Sequence, residues 1–554
     1  MNKIEYNIRK RSLSRAIKWL GVSFFTLYAP FFVSCSEWND HYEGNGLEQV
    51  DQTLWQQLKG NSQLSDFCQV LQETKVFRMH KKTPVSYADL LNSGQSFTVV
   101  APVNGTFNKD SLLQLVQTAQ GDSVVERYFV HNHLSRSLNS TGVDAKTMLL
   151  LNKKHVTMEE GSIEGVNLTN SNIRAKNGIL HVATRPLPYQ RSLYETLSDI
   201  PELSSIGKVL RQYEEDYFDA NSSVSSGIIE GVPVYVDSVV IERNRMLQQI
   251  GLINAEDSTY WMVAPTTESW QKAWDEAKKY FKYDQKVLKR DSIEQHWTTR
   301  ALLDDAIFNI TDQRTLVDSL VSVQYLANRT SSTNGKPVYH VFQKPFEYGG
   351  ILYGTERIEC SNGVLFKSQE WPFTPEQTYL RELWSEAEQT FLITNELECS
   401  YNTRRIAADS ISEGGYLQIV PSRATSNWEL TFRVNNTLSG KYDICAVILP
   451  KNVVDKTIVD TKPCKFKSVI NYVDTMGVEK TFNCNNTQFQ NDPERVDTIV
   501  LAEAFEFPAC NYNQNDIKVS VKIQCSILAR ETSRYSREMY LDCIYLRPRR
   551  TIEN

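Results

Sequence analysis

The sequence predicts an α+β chain in which two copies of a mixed helix-and-sheet module are followed by an all-β sandwich. Three observations predict it. Two short segments recur in the same order, apolar residues inside the recurring region fall at helical intervals, and after about residue 385 the spacing changes to strict alternation. The expected divisions are an export signal over 1–34, a tether over 35–49, a first module over 50–197, a second over 198–384 and the sandwich over 385–554.

The N-terminus reads as an address rather than as structure. Lys3, Arg9, Lys10, Arg11, Arg15 and Lys18 form a basic region, and an apolar stretch from Trp19 to Val33 follows it. That stretch is broken by Ser, Thr and Pro and falls short of the about 20 apolar residues a comfortable membrane span needs. It is expected to be removed as a signal peptide. Phe32-Val33-Ser34-Cys35, at its end, resembles a bacterial lipobox with a bulky first residue. The resemblance implies lipid attachment at Cys35, where each buried methylene anchors with about 0.8 kcal/mol. An ordinary signal peptide with an incidental cysteine is the alternative. Ser36-Glu37-Trp38-Asn39-Asp40 is similar to the acidic signal that sends lipoproteins of the Bacteroidota to the outer face of the outer membrane. The expected location is therefore the outer membrane, lipid-anchored and facing the cell exterior.

The repeat comes next. Phe97-Thr98-Val99-Val100-Ala101-Pro102-Val103-Asn104-Gly105-Thr106-Phe107 is answered by Tyr260-Trp261-Met262-Val263-Ala264-Pro265-Thr266-Thr267-Glu268-Ser269-Trp270. Later, Asn177-Gly178-Ile179-Leu180-His181-Val182 is answered by Asn362-Gly363-Val364-Leu365-Phe366-Lys367. The first pair reads as strand, Ala-Pro, turn and aromatic; the second reads as a tight turn opening a strand. After Pro265, Trp270, Ala273, Trp274, Ala277 and Phe281 keep helical spacing, with Thr266 or Thr267 expected to supply the cap oxygen. Pro102 to Asn177 is 75 residues and Pro265 to Asn362 is 97, so the second copy carries about 22 more, expected among helices between Gln285 and Asn334.

These blocks resemble the two signature segments of fasciclin domains. In the first copy Tyr128-Phe129-Val130-His131-Asn132-His133 also looks like that family's central Tyr-His segment; the second copy lacks it and has Leu365-Phe366 where the first has Leu180-His181. The resemblance implies two compact fasciclin-like domains, the second divergent, and a role in adhesion.

From about residue 385 the pattern is strand-like. Ile517 to Ile527 alternates apolar and polar residues, as do Trp428, Leu430, Phe432 and Val434 with Glu429, Thr431 and Arg433. Antiparallel strands joined by turns such as Asn435 to Gly440 make a sandwich. Met539-Tyr540-Leu541-Asp542-Cys543-Ile544-Tyr545-Leu546-Arg547-Pro548 resembles the last strand of jelly-roll carbohydrate-binding modules. The fold class expected is thus two fasciclin-like domains followed by an all-β jelly-roll-like sandwich.

Composition excludes some partners. A net charge of −6 indicates neither nucleic acid nor electrostatic membrane binding. The cysteines form no CxxC pair, so zinc is not expected, and their odd number beyond Cys35 with strand-face placement favours buried thiols; no bridge is assigned. No nucleophile elbow, phosphate loop, HExxH helix or dinucleotide glycine pattern occurs. His131 and His133 are the one close histidine pair and read as structural, since a metal or acid-base role needs a further partner. Asp304-Asp305 and Glu214-Glu215-Asp216 are neighbours in sequence that point apart, and read as solvated faces rather than a carboxylate pair across a cleft. No catalytic residue, metal ligand or cofactor is expected, and the chain is read as non-enzymatic.

Binding is the expectation, without a located ligand site. Trp384, Trp428, Tyr535, Tyr540 and Tyr545 are the aromatics in or beside the sandwich that could stack on sugars or peptides; Trp428 alternates with core residues, and Tyr535 sits in a polar run and is expected to be exposed. Asp-Ser or Asp-Thr steps at Asp110, Asp122, Asp237, Asp257, Asp291, Asp318, Asp409, Asp474 and Asp497 are similar to O-glycosylation acceptors of exported Bacteroidota proteins, or are turns and caps. Two functions fit. One is a cell-surface adhesion or ligand-binding lipoprotein, which predicts an exposed aromatic or apolar patch on a fasciclin-like module. The other is accessory glycan or peptide capture beside an outer-membrane receptor of the starch-utilisation type, which predicts an aromatic platform on the sandwich. The partners expected are the outer membrane through the lipid anchor, and a glycan, a host protein or an outer-membrane receptor.

Overall fold

A computed structural model describes residues 51–78, 81–229, 232–310, 319–322, 340–406, 411–459 and 461–550. Cys35, the export signal and the tether lie outside them. The chain divides into two compact units between Tyr189 and Gln190.

In the first unit Thr53 opens the helix Leu54–Gly60 with a reciprocal capping box. The apolar strand Phe97–Pro102 is buried along its whole length. It runs parallel to Gly178–Ala183 on one side and pairs antiparallel with Leu134–Ser135 on the other. Val166–Ala175 then pairs antiparallel with Gly178–Ala183. Helix residues Leu54, Phe67 and Val70 pack on Phe97 and Val99 to form the core. The Asn-Gly turn is what ties these parts together. The Leu54 N–H donates to Asn177 Oδ1 (2.8 Å), while Asn177 Nδ2 donates to the carbonyls of Leu91 (2.9 Å) and Ser93 (2.8 Å). Gly178 follows because any Cβ there would meet the Phe97 carbonyl.

The second unit repeats the device. A capping box at Ser192 starts the helix Leu193–Asp199, which runs across the expected 197/198 division. The Leu193 N–H donates to Asn362 Oδ1 (2.9 Å), and Asn362 Nδ2 donates to the carbonyls of Ile253 (2.8 Å) and Ala255 (2.7 Å). Tyr260–Pro265 runs parallel to Gly363–Ser368, with Ile307–Asn309 and Glu356–Cys360 completing the same order of four strands. The modules differ in their insertions. The short hairpin Lys75–Arg78 and Lys81–Ser86 of the first becomes a long one, Glu214–Ile229 and Val232–Asn244, in the second. Within 285–334 the second module has the helix Arg290–Leu303 of 14 residues, where the first has Ala119–Val125 of 7; part of that interval lies outside the described residues.

The C-terminal region is largely β-sheet. One sheet runs Cys399–Arg405, Gly415–Pro421, Met539–Arg549, Gly440–Leu449, Asp497–Phe507, with Leu383–Glu386 on the far half of Met539–Arg549. The other runs Ile393–Leu397, Glu429–Arg433, Ser520–Cys525, Lys465–Val473, Glu479–Gln490. Their facing sides share one core, including Trp428, Phe432, Ile444, Phe466, Ile523 and Leu541. The alternation expected over 517–527 is a strand at Ser520–Cys525, where Val521, Ile523 and Cys525 are buried. Within the unit the sheets and the module are continuous: the Cys510 N–H donates to the Lys282 carbonyl, Tyr283 Oη donates to the Tyr512 carbonyl (2.8 Å), and Tyr512 joins the core around Phe281 and Tyr379.

Three details depart from the sequence reading. The helix does begin at Thr267, but Thr266 makes no side-chain cap; the Thr266 and Thr267 hydroxyls donate instead to the carbonyls of Gln369 (3.4 Å) and Glu202 (3.0 Å). Asp304 and Asp305 are buried rather than solvated, because each has a cationic or imidazole partner: Arg300 lies 3.2 Å from Asp304 and His340 lies 2.7 Å from Asp305. Burial pushes the Asp304 carboxyl up to about 7 against the opposing pull of Arg300. Glu215 is paired as well, with Arg243 and Arg245.

Candidate functional site

The Tyr-His segment of the first module is the natural starting point. Glu126–Val130 forms a π-turn and His131–His133 a 3₁₀ turn, so the two histidines point to different partners. His133 Nδ1 lies 2.7 Å from the Phe129 carbonyl and the Leu187 N–H donates to Nε2 (3.0 Å), which defines a neutral tautomer. Tyr87 Oη stands 2.5 Å from His131 Nε2 and donates to Glu126 Oε1 (2.7 Å). Burial holds both imidazoles down at about 4. Neutral, satisfied rings of this kind brace the fold.

The aromatics expected on the sandwich separate into three situations. Trp428 is wholly buried and donates Nε1–H to the Arg537 carbonyl (2.6 Å); Tyr540 is buried with Tyr416 and Leu449. Tyr535 is half-buried rather than exposed, because Lys465 Nζ sits 4.9 Å above its ring and its hydroxyl donates to Gln490 Oε1 (3.3 Å). Trp384 and Tyr545 are register partners on adjacent strands, half-buried and stacked with centroids 4.7 Å apart at 16°. Beside them Asp443 binds Arg547 (2.9 Å) and Arg549 (2.7 Å), and Arg549 binds Glu503 (2.7 Å).

Among the described residues, another exposed aromatic cluster lies elsewhere, in the second module. Tyr348 is 90% exposed, Tyr353 56% and Phe346 48%. The two tyrosine rings meet edge to face at 5.4 Å, and Phe346 packs on Trp261 (5.9 Å) and Phe366 (5.7 Å). The same loop walls a cavity of 510 Å³ lined also by His340, Gln343, Glu376, Gln377 and Arg381. Asp305 Oδ1 and Arg381 Nη2 each lie 2.7 Å from His340 Nδ1. Sequence reading missed this loop because Phe346, Tyr348 and Tyr353 follow neither helical nor strand spacing.

One group could hold a metal. Ligand atoms of Glu386, Asp542 and Cys543 all lie within 4.8 Å of one another, and all three residues are buried. A bulge places Asp542 there: Val447 pairs with Cys543 and Ile448 with Leu541, leaving Asp542 as the extra residue. The Ser412 hydroxyl donates to Glu386 Oε1 (2.8 Å) and its N–H to Asp542 Oδ2 (3.2 Å), while Asp542 Oδ1 is buried without a donor. Burial, reinforced by Glu386 and Glu388, pushes Asp542 up to about 7 and raises Glu388. Converging carboxylates with an unsatisfied buried oxygen suit a hard cation such as Ca²⁺, which takes oxygen ligands; the Cys543 thiol is the one ligand atom that does not. Glu386 and Asp542 are 156 residues apart in sequence, so no local motif announces the group.

The family model for the fasciclin domain matches residues 63–188. This segment is a fasciclin domain. It contains the Tyr-His turns, the buried strand and Asn177, whose clamp reaches back to Leu54 just before it. No curated protein matches the chain. Among solved structures, the chain is similar to a FAS1 domain pair from the insect cell adhesion molecule fasciclin I, at 12% identity over 58% of this chain and 99% of that one, TM-score 0.19. It is also similar to a xylan-binding domain from CBM 22, at 10% identity over 30% of this chain and 92% of that one, TM-score 0.20. A third likeness is to the CBM22-1 xylan-binding domain from Paenibacillus barcinonensis, at 12% identity over 30% and 93%, TM-score 0.21.

Along the chain, the Asp-Ser and Asp-Thr steps hold mixed positions. Asp474 accepts the N–H groups of Met476 and Val478 in a turn, Asp122 is buried against Lys82, and Asp318 and Asp409 lie outside the described residues.

Proposed function

We propose that this chain is a non-enzymatic binding protein of the adhesion kind, displayed on the outer face of a Gram-negative outer membrane through lipid on Cys35. In this reading the second module is also a fasciclin domain, and the C-terminal sheets form a jelly-roll-like sandwich. The shared order of four strands and the matching Asn177 and Asn362 clamps support the first statement, and the common core of the two sheets supports the second.

The observation that carries the functional reading is the exposed cluster of Tyr348, Tyr353 and Phe346. Clustered aromatic rings that leave much of their surface facing water mark interaction sites. The test is a binding screen of residues 36–554 against immobilised extracellular proteins and glycans, comparing the wild type with Tyr348→Ala/Tyr353→Ala. Loss of the retained ligand in the variant is expected; unchanged binding of every ligand would refute the assignment. A second reading, nutrient capture by the sandwich, is favoured by the stacked Trp384 and Tyr545 beside the Arg547, Asp443 and Arg549 row. It predicts that Trp384→Ala/Tyr545→Ala, not the Tyr348 and Tyr353 change, removes binding.

A further inference from the structure

We propose that the cavity walled by the loop that carries Tyr348 and Tyr353 binds a sugar ring of a glycan; this rests on reading the chain as a binding protein. Two features of the site argue for a polyol over a protein surface. The first is the chemistry of the lining. Gln343, Glu376, Gln377, Arg381 and His340 line one recess together with the apolar Val341, Phe342 and Ile351. Amide, carboxylate and guanidinium groups each offer paired donors or acceptors in a plane, which match adjacent hydroxyls that both donate and accept.

An apolar protein anchor would do the opposite. It would desolvate the exposed Glu376 carboxylate without replacing its hydrogen bonds to water, and buried polar groups left so are costly. Protein hot spots instead sit in pockets that exclude water around an apolar centre.

The second feature is the loop and the size. Tyr348 directly precedes Gly349 of the wall, and Tyr353 follows Ile351 of the wall by two residues, so one loop carries both exposed rings and part of the wall. Aromatic faces take the C–H side of a sugar while their hydroxyls remain wet. A volume of 510 Å³ falls within the about 300–1,000 Å³ usual for small-ligand sites.

The experiment uses the mature chain, residues 36–554, on an array of neutral and acidic oligosaccharides and, in parallel, on immobilised collagen and fibronectin. Variants are Tyr348→Ala/Tyr353→Ala and Glu376→Ala/Gln377→Ala, all at exposed positions, with thermal unfolding as the check that each stays folded. The expected result is glycan binding that weakens about tenfold or more in the tyrosine variant and several-fold in the other. Glycan binding that survives both variants, or that falls only with Trp384→Ala/Tyr545→Ala, overturns the proposal. Collagen or fibronectin binding lost in the tyrosine variant, with no glycan bound, overturns the glycan class while leaving the binding-protein reading intact. Silence of every probe overturns both.

Discussion

Replacing Asn177 by Ala removes the clamp of the first module and should be among the more damaging single changes there. The side chain accepts from the Leu54 N–H and donates to the carbonyls of Leu91 and Ser93, all at 2.8 or 2.9 Å. Asn177 itself is only 6% exposed, and the bonds to Leu54 and Leu91 are in the buried class, so water cannot take its place there. Each buried donor or acceptor left without a partner costs about 1–3 kcal/mol, which gives about 2–4 kcal/mol for this pair after partial relaxation. For a unit of this size that is roughly 5–15 °C in unfolding temperature. Calorimetry of the intact chain is the assay, because the change should move the transition of the unit ending at Tyr189 and leave the other in place. Asn177→Asp gives the sharper comparison. It keeps the acceptor for Leu54 but turns a carboxylate oxygen toward two carbonyls, so it should be worse than Ala. A loss below about 1 kcal/mol for Asn177→Ala, or an Asp variant milder than Ala, would refute the accounting.

Asn362→Ala should move the other transition by a similar amount, since the three bonds of Asn362 repeat the pattern at 2.7–2.9 Å. Gly363→Ala should prevent folding of the second module, measured by soluble yield and circular dichroism, because φ is +145° and a Cβ would run into the Tyr260 carbonyl. Millimolar Ca²⁺ should stabilise the unit holding Glu386 and Asp542, by about 2.7 kcal/mol at a hundred times Kd, read as a rise in its unfolding temperature, and Asp542→Asn should abolish the increment. The pH dependence has a definite sign. Asp542 has a folded value of about 7, above its unfolded value of 3.8, so without cation its contribution to stability is present at acid pH and is lost as pH rises through 7. Ca²⁺ binds the deprotonated form, so its stabilising effect should grow over the same window; an increment independent of pH would count against the site.

Much of the frame was legible because it is local. The Ala-Pro strands, the Asn-Gly turns and the alternation of Val521, Ile523 and Cys525 all announce themselves within a few residues. Asn177 and Asn362 were legible as turn residues only; their second use, as clamps on helices 123 and 169 residues away, is tertiary. The buried Asp304 and Asp305 were misread as solvated for the same reason, since Arg300 is local but His340 is not. Tyr535 shows the converse: a polar sequence neighbourhood predicts exposure, yet Lys465 at the start of the strand Lys465–Val473 covers the ring. The Asp542 bulge interrupts an apolar strand by one residue, and a period-two reading cannot see a single-residue slip.

The two modules also show where ligand recognition must reside if the proposed function holds. The parallel strand pair, the capped first helix and the asparagine clamp are present in both, built from the same kinds of residue with nearly the same distances. A frame that is repeated without change cannot by itself distinguish ligands. Among the described residues, the Tyr348–Tyr353 loop with the recess beside it and the long Glu214–Asn244 hairpin belong to the second module. Those departures sit on loops and edges, where a substitution costs the core little, so they can be shaped by a ligand while the clamps keep the backbone fixed. The combination predicts separable effects: changes at Asn177 and Asn362 should act on stability, and changes at Tyr348, Tyr353 and Glu376 on binding alone.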